Sequence, residues 1–180
     1  NITITGGTGQ DTITVTHANA VDTVGVTGFI GFAFAAGDSN TVNYDTVTGF
    51  DISTTTLIAD QLDFEGSATI GAFTANNDFG TIKSHSITDG LATFDDAAGF
   101  VAALTINAAN LADVVGYLAA NASANEAVSF AFDSTNNGAV DGTMVFHQGS
   151  GAAVADDLVF LAGVTGTDEL ITTNLGDATA

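Results

Sequence analysis

Residues 6–14 read Gly-Gly-Thr-Gly-Gln-Asp-Thr-Ile-Thr, the pattern Gly-Gly-x-Gly-x-Asp-x-apolar-x. Glycine at the turn positions admits backbone conformations closed to other residues and lets carbonyl oxygens turn inward. The Asp adds a carboxylate and the apolar residue points into a core, which is the chemistry of a calcium-binding turn in a parallel β-roll. Calcium takes roughly six to eight oxygens, so each ion sits between two consecutive turns. Gly7, Gly9 and Asp11 are therefore candidate ligands only where another turn lies beside them. Residues 1–5, Asn-Ile-Thr-Ile-Thr, read as the strand end of such a turn. The competing reading is a plain glycine turn in a chain rich in Gly and Thr.

A second candidate lies at residues 133–141, Asp-Ser-Thr-Asn-Asn-Gly-Ala-Val-Asp. Asp133, Thr135 and Asn137 fall on alternate positions, Gly138 allows a sharp turn, Ala139 offers a backbone carbonyl, and Asp141 closes the set. This is the spacing of an EF-hand-like loop, although Met144 stands where the bidentate acid would be. The competing reading is an Asn137-Gly138 hairpin turn.

Other constellations carry little chemistry. His17, His85 and His147 are isolated, with no His-Glu-x-x-His pattern, so no zinc site is expected. Ser84-His85-Ser86 beside Lys83 lacks an orienting acid and an oxyanion donor and reads as a polar loop. Asp95-Asp96 falls in the first turn of an expected helix, where the macrodipole favours carboxylates. Asp156-Asp157 opens a strand. No catalytic set is expected, and the chain reads as a non-enzyme.

The charge balance supports a metal reading. The 180 residues hold 21 acidic side chains against one cation, Lys83, for a formal net charge of −20. Such an excess repels itself in a compact state unless salt or bound cations neutralise it. All the acids but Glu65, Glu126 and Glu169 are Asp, the short carboxylate used in turns and metal loops. The same charge argues against nucleic acid and anionic membranes as partners. Absence of Cys removes disulfides and thiolate chemistry. No apolar run reaches membrane-spanning length and no basic signal region opens the chain, so an export signal is expected outside this stretch or at its C-terminus.

The elements that must position these residues divide the chain into 1–64 and 65–180, packing as one unit. The first part alternates β-branched and small polar residues in short strands. Within it Asp-Thr-apolar recurs at Asp11-Thr12-Ile13, Asp22-Thr23-Val24 and Asp45-Thr46-Val47, a decaying internal repeat. In the second part, Thr93-Phe94-Asp95-Asp96 matches a capping box and predicts a helix over about 94–104, with Ala97, Phe100, Val101 and Leu104 on one face. Asn110 predicts a second helix over about 110–121, with the stripe Leu111, Val114, Val115 and Leu118. Strands are expected at 127–132, 143–148 and 156–164, forming an antiparallel meander, with another at 169–173. The fold class expected is mainly β: a short calcium-binding parallel β-roll or β-solenoid end, then a β-rich part with two short helices.

Residues 6–14, followed by Asp45, Val47 and Phe50 and then by Asp60, Leu62, Asp63 and Phe64, resemble the closing part of repeats-in-toxin (RTX) calcium-binding proteins. The hairpin-rich remainder resembles the C-terminal regions of type I-secreted bacterial surface-layer and adhesin-like proteins. The resemblance implies a secreted, cell-surface protein that folds on calcium (Ca2+) and serves a structural or adhesive role, with Gly7, Gly9 and Asp11, and less securely Asp22, carried over as ligands. It implies self-association into a lattice or filament, with cell-surface polysaccharide as a possible partner and no membrane insertion. An adhesin end domain that binds a surface or glycan, or the calcium module of a secreted hydrolase, are the alternatives.

Overall fold

The computed structural model describes residues 2–16, 30–52, 59–150, 156–165 and 174–175. The protein is mainly β, with one helix among the described residues. His17, Asp22 and the strand expected at 169–173 lie outside them.

The first five strands are β1 (Ile2–Thr5), β2 (Thr12–Thr14), β3 (Ile30–Phe34), β4 (Asp45–Thr48) and β5 (Gln61–Phe64). They alternate between two sheets. β1, β3 and β5 pair parallel in a small sheet, in that order. β2 and β4 pair parallel in a larger one, with Thr12 opposite Thr46 and Ile13 opposite Val47. Each is short and rich in β-branched or aromatic residues, as a pleated, half-buried surface favours.

The rest of the chain extends the larger sheet. It supplies β6 (Thr69–Ile70), β7 (Ser84–Thr88), β8 (Leu91–Asp95), β9 (Glu126–Phe132), β10 (Gly142–His147) and β11 (Asp157–Ala162). The order across that sheet is β2-β4-β11-β10-β9-β8-β7, with β6 beside β9. The expected meander is present as β9-β10-β11, antiparallel throughout. Its last strand runs parallel to β4, pairing Val159 with Asp45 and Leu161 with Val47.

Both faces of this meander are covered. Met144, Phe146, Leu158 and Phe160 pack with Phe130, Phe132 and Leu118 in one core. Val145, Val159 and Leu161 pack with Phe32, Leu62 and Phe64 in the other. Burial on two sides explains why residues 158–161 are a continuous apolar run rather than an alternating one. The helix α1 (Leu111–Asn121) covers the first core and buries Leu111, Val114 and Leu118 of its predicted stripe, with Tyr117 beside them and Val115 only partly covered. Asn110 makes no side-chain cap bond there; its Oδ1 accepts from Asn107 N instead. α1 is too short to cross a membrane, and no other helix is described.

The helix expected over 94–104 does not form. Residues 91–95 are strand β8, with Ala92 and Phe94 turned inward and Phe94 edge-on to Phe130 and Tyr117. The Asp95 carboxylate accepts N–H bonds from Ala97, Val101 and Ala102, closing a loop where a helix was expected. Phe100 and Val101, assigned to a buried face by the helical reading, are exposed. The missed signal is Asp89-Gly90, both at positive φ between β7 and β8, the two-residue turn preferred by hairpins.

Candidate cation site

After β1 the chain turns through Gly7 and Gly9, whose φ values of 92° and 110° suit glycine alone. Gly6 leaves room for the Asp11 side chain: a Cβ there would lie 3.1 Å from Asp11 Oδ2. The longer loop after β3, residues 35–44, delivers Asp45 to the start of β4, as the first delivers Asp11 to the start of β2. The two turns are tied together. Asp11 N donates to Asp45 Oδ1 at 2.8 Å, Thr46 N donates to Asp11 O at 2.9 Å, and Gly9 N donates to Asp38 O at 3.3 Å. The neighbour of Asp11 is therefore Asp45, 34 residues on. That pairing was present in the recurrence of Asp-Thr-apolar, but the sequence does not say which copies stack.

The second turn is anchored on β11 as well. Gly37 N donates to Asp157 Oδ1 at 2.8 Å, and Ala35 N donates to Asp38 Oδ2 at 3.0 Å. Ser39 Oγ accepts from Asp45 N and donates to Leu158 O, joining the two strands. Asp45 has no exposed surface, and its Oδ2 has no hydrogen-bond partner. Asp157 is equally enclosed, and its Oδ2 also lacks one. That oxygen faces His147 Nδ1 at 3.8 Å, too far for a hydrogen bond. The His147 ring lies flat on Phe64, centroids 4.7 Å apart.

Burial pushes the Asp45 carboxyl above its usual range. The Asp11 N–H opposes that, and the charges of Asp11, Asp38 and Asp157 add to it. No lysine or arginine relieves this crowding, because Lys83 sits with Asp78 and the Gly80 carbonyl. Burial also raises Asp156, whose Oδ1 accepts from Gly149 N and Gln148 Nε2.

The 133–141 loop differs in chemistry. Asp133 accepts N–H bonds from Asn137 at 3.2 Å and Gly138 at 2.7 Å, and the Thr135 hydroxyl lies at 3.4 Å. Asp141 takes Ser134 N and Oγ, and Asn137 Oδ1 takes Ala139 N. Burial opposes ionisation of Asp133, yet these donors together hold its carboxyl below the usual range. The structure thus gathers Asp133, Thr135, Asn137, Ala139 and Asp141 into one turn, with the side-chain oxygens directed at its own N–H groups. Among the described residues, no three His, Asp or Glu side chains converge closely enough to hold a metal by themselves.

The Ser84-His85-Ser86 segment is engaged in packing contacts. Ser84 Oγ donates to Ala97 O, and the His85 ring bridges the Tyr117 hydroxyl at 2.7 Å and Phe73 O at 3.1 Å. Tyr117 in turn donates to Asn76 Oδ1, and burial, with Asp78 adding, pushes its phenol up to about 12.

Compared with protein-family models, with curated proteins and with solved structures, the chain matches none.

Proposed function

We propose that this chain is a piece of a secreted, calcium-dependent structural protein of the bacterial surface, its first strands forming the end of a parallel β-roll. The observation that carries the reading is the stack of Asp11 over Asp45 at two glycine- and Asp-lined turns, with Asp45 Oδ2 buried and unpartnered. Support for the roll comes from the alternation of β1 to β5 between two parallel-paired sheets. The donor set suits calcium, being made of carboxylates and turn carbonyls with no thiolate in the chain.

When bound, calcium supplies the positive charge that Asp11, Asp38, Asp45 and Asp157 lack from the protein. The chain's own residues do the rest. Asp11 N–H and Ser39 Oγ fix Asp45 in place, and the Gly7 and Gly9 conformations shape the turn. Without a cation the enclosed carboxylates repel one another and favour the unfolded chain; a ligand that binds only the folded form reverses the balance. This suits a protein that stays unfolded in low calcium and folds outside the cell. Lattice assembly is the expected role of the folded unit.

The reading is tested by following unfolding in calcium and in EGTA, and by imaging the chain after calcium is added. Calcium-dependent stability together with ordered sheets supports it. Equal stability in both buffers overturns the calcium role, and a calcium-bound chain that stays monomeric and binds a glycan replaces the lattice role with an adhesive one.

A further inference from the structure

The two sheets end together on one side. β1 closes the small sheet and β2 the large one, and among the described residues neither has a strand on its outer side. Two apolar rows cross the sheets from that end: Ile4, Phe32 and Leu62 in the small sheet, and Ile13, Val47 and Leu161 in the large one. The second and third members of each row have no exposed surface, whereas Ile4 and Ile13 are only partly buried. Ile2, on the same face of β1 as Ile4, is 63% exposed. The opposite end is covered, since Leu62 bridges Leu175 and β11 pairs onward with β10. We propose that the bare end is a self-association surface that takes the same end of a second copy of this chain, β1 against β1 and β2 against β2. The proposal rests on the self-association read above and names the surface that carries it.

Edge strands that stay single are normally protected by charged side chains, proline or a covering segment. The four residues of β1 and the three of β2 are all Ile or Thr, and the chain has no proline. An occupant of this end must offer a strand to each of two sheets at once and apolar side chains to Ile2, Ile4 and Ile13. A second copy turned about a two-fold axis normal to the sheets does both. It sets each edge strand antiparallel to its own copy, which continues both hydrogen-bond ladders, and it closes Ile over Ile. Charge favours the same occupant. At a formal net charge of −20 two copies repel each other, and this end brings no carboxylate of either strand into the contact. A basic partner gains nothing from strands that carry no acid. Such a contact closes on itself, so it builds a dimer, and a lattice needs a further contact elsewhere on that dimer.

The test follows association of the chain in calcium by sedimentation over a range of concentrations, with amide hydrogen exchange read at each. The expected parent associates as concentration rises, and exchange in residues 2–5 and 12–14 slows as it does. Ile2→Lys places a charge on the bare edge and is expected to raise the dimer dissociation constant by about tenfold or more. Val42→Lys makes the same change in charge at a side chain 79% exposed in the 35–44 loop and is expected to leave association at the parental level. Association that persists equally in both variants overturns this surface and leaves self-association standing. So does a parent that associates while exchange in residues 2–5 and 12–14 stays independent of concentration. A parent that is monomeric at every concentration overturns the surface and self-association together. The exchange measurement uses the parent alone, so it decides the matter even where Ile2→Lys fails to fold.

Discussion

Two groups of buried or half-buried aspartates lie in this protein, and they are solvated in opposite ways. At the strand starts, Asp45 and Asp157 each keep an oxygen with no hydrogen bond, in the company of Asp11 and Asp38. In the loops, Asp95, Asp113 and Asp133 are surrounded by donors. Asp95 takes three N–H groups, Asp113 takes Thr81 N and Oγ1, and Asp133 takes those of its own turn. The residue type is the same, but the direction of the pKa shift reverses. Asp45 is raised, whereas Asp95 is lowered to about 2 and Asp113 and Asp133 are lowered too. An aspartate that closes a loop here has its oxygens met by N–H donors, whereas Asp45 and Asp157, which begin strands, each keep an oxygen with no hydrogen bond.

The largest test of this contrast is removal of calcium. Saturation at about a hundredfold over Kd is worth about 2.7 kcal/mol per ion, and a chain of this size shifts about 2–4 °C per kcal/mol, so EGTA is expected to lower Tm by roughly 5–10 °C per site. Thermal melts by circular dichroism check it, and overlapping melts would erase the distinction between the two groups.

Next in size is Asp45→Asn, expected to lower Tm in calcium and raise it in EGTA. The pH profile gives the sign independently. Because the folded carboxyl titrates above its ordinary 3.8, the folded chain takes up this proton before the unfolded one. In EGTA, stability from Asp45 therefore rises as pH falls through the raised value, and the gain is complete below 3.8. Denaturant midpoints across that range should slope in the parent and lose this slope in the variant.

Asp95→Ala should act with the opposite sign and without regard to calcium. It frees the N–H groups of Ala97, Val101 and Ala102 and is expected to lower Tm by a few degrees in either buffer. Its contribution is present above 3.8 and is lost as pH falls through about 2. A calcium-dependent effect at this position would break the comparison.

The smallest expected effect on metal content is at the 133–141 loop. Asp133→Ala with Asp141→Ala should loosen the β9–β10 turn while leaving the number of calcium ions unchanged. A lost ion would move this loop into the first group and support the EF-hand-like reading of its spacing.

Much of the fold was legible in local pattern. The stripe Leu111, Val114, Val115 and Leu118 gave α1, with Val115 only partly buried, and the apolar runs at 127–132, 143–148 and 156–164 gave the meander, because periodicity records which face is buried. The same reasoning failed at 94–104. Four apolar residues at helical spacing outweighed Asp89-Gly90, and the β7–β8 hairpin took Phe94 into the core as a strand residue. Of the candidate site, the glycines and Asp11 were legible as a turn with a carboxylate. The contact of Asp157 with the second turn was not, since nothing near it in the chain marks it as a partner of Gly37.

The sequence by itself determined the charge excess, the mainly β class, the glycine turn and the recurrence of Asp-Thr-apolar, because composition and short-range spacing fix these. Only the tertiary structure decided that Asp45, 34 residues on, lies against Asp11, and that β11 returns to lie beside β4. Strand order is set by which apolar faces can be covered together, and that depends on residues far apart in the chain. Whether an aspartate ends among N–H donors or among other carboxylates follows from that packing, and with it the direction in which its carboxyl is shifted.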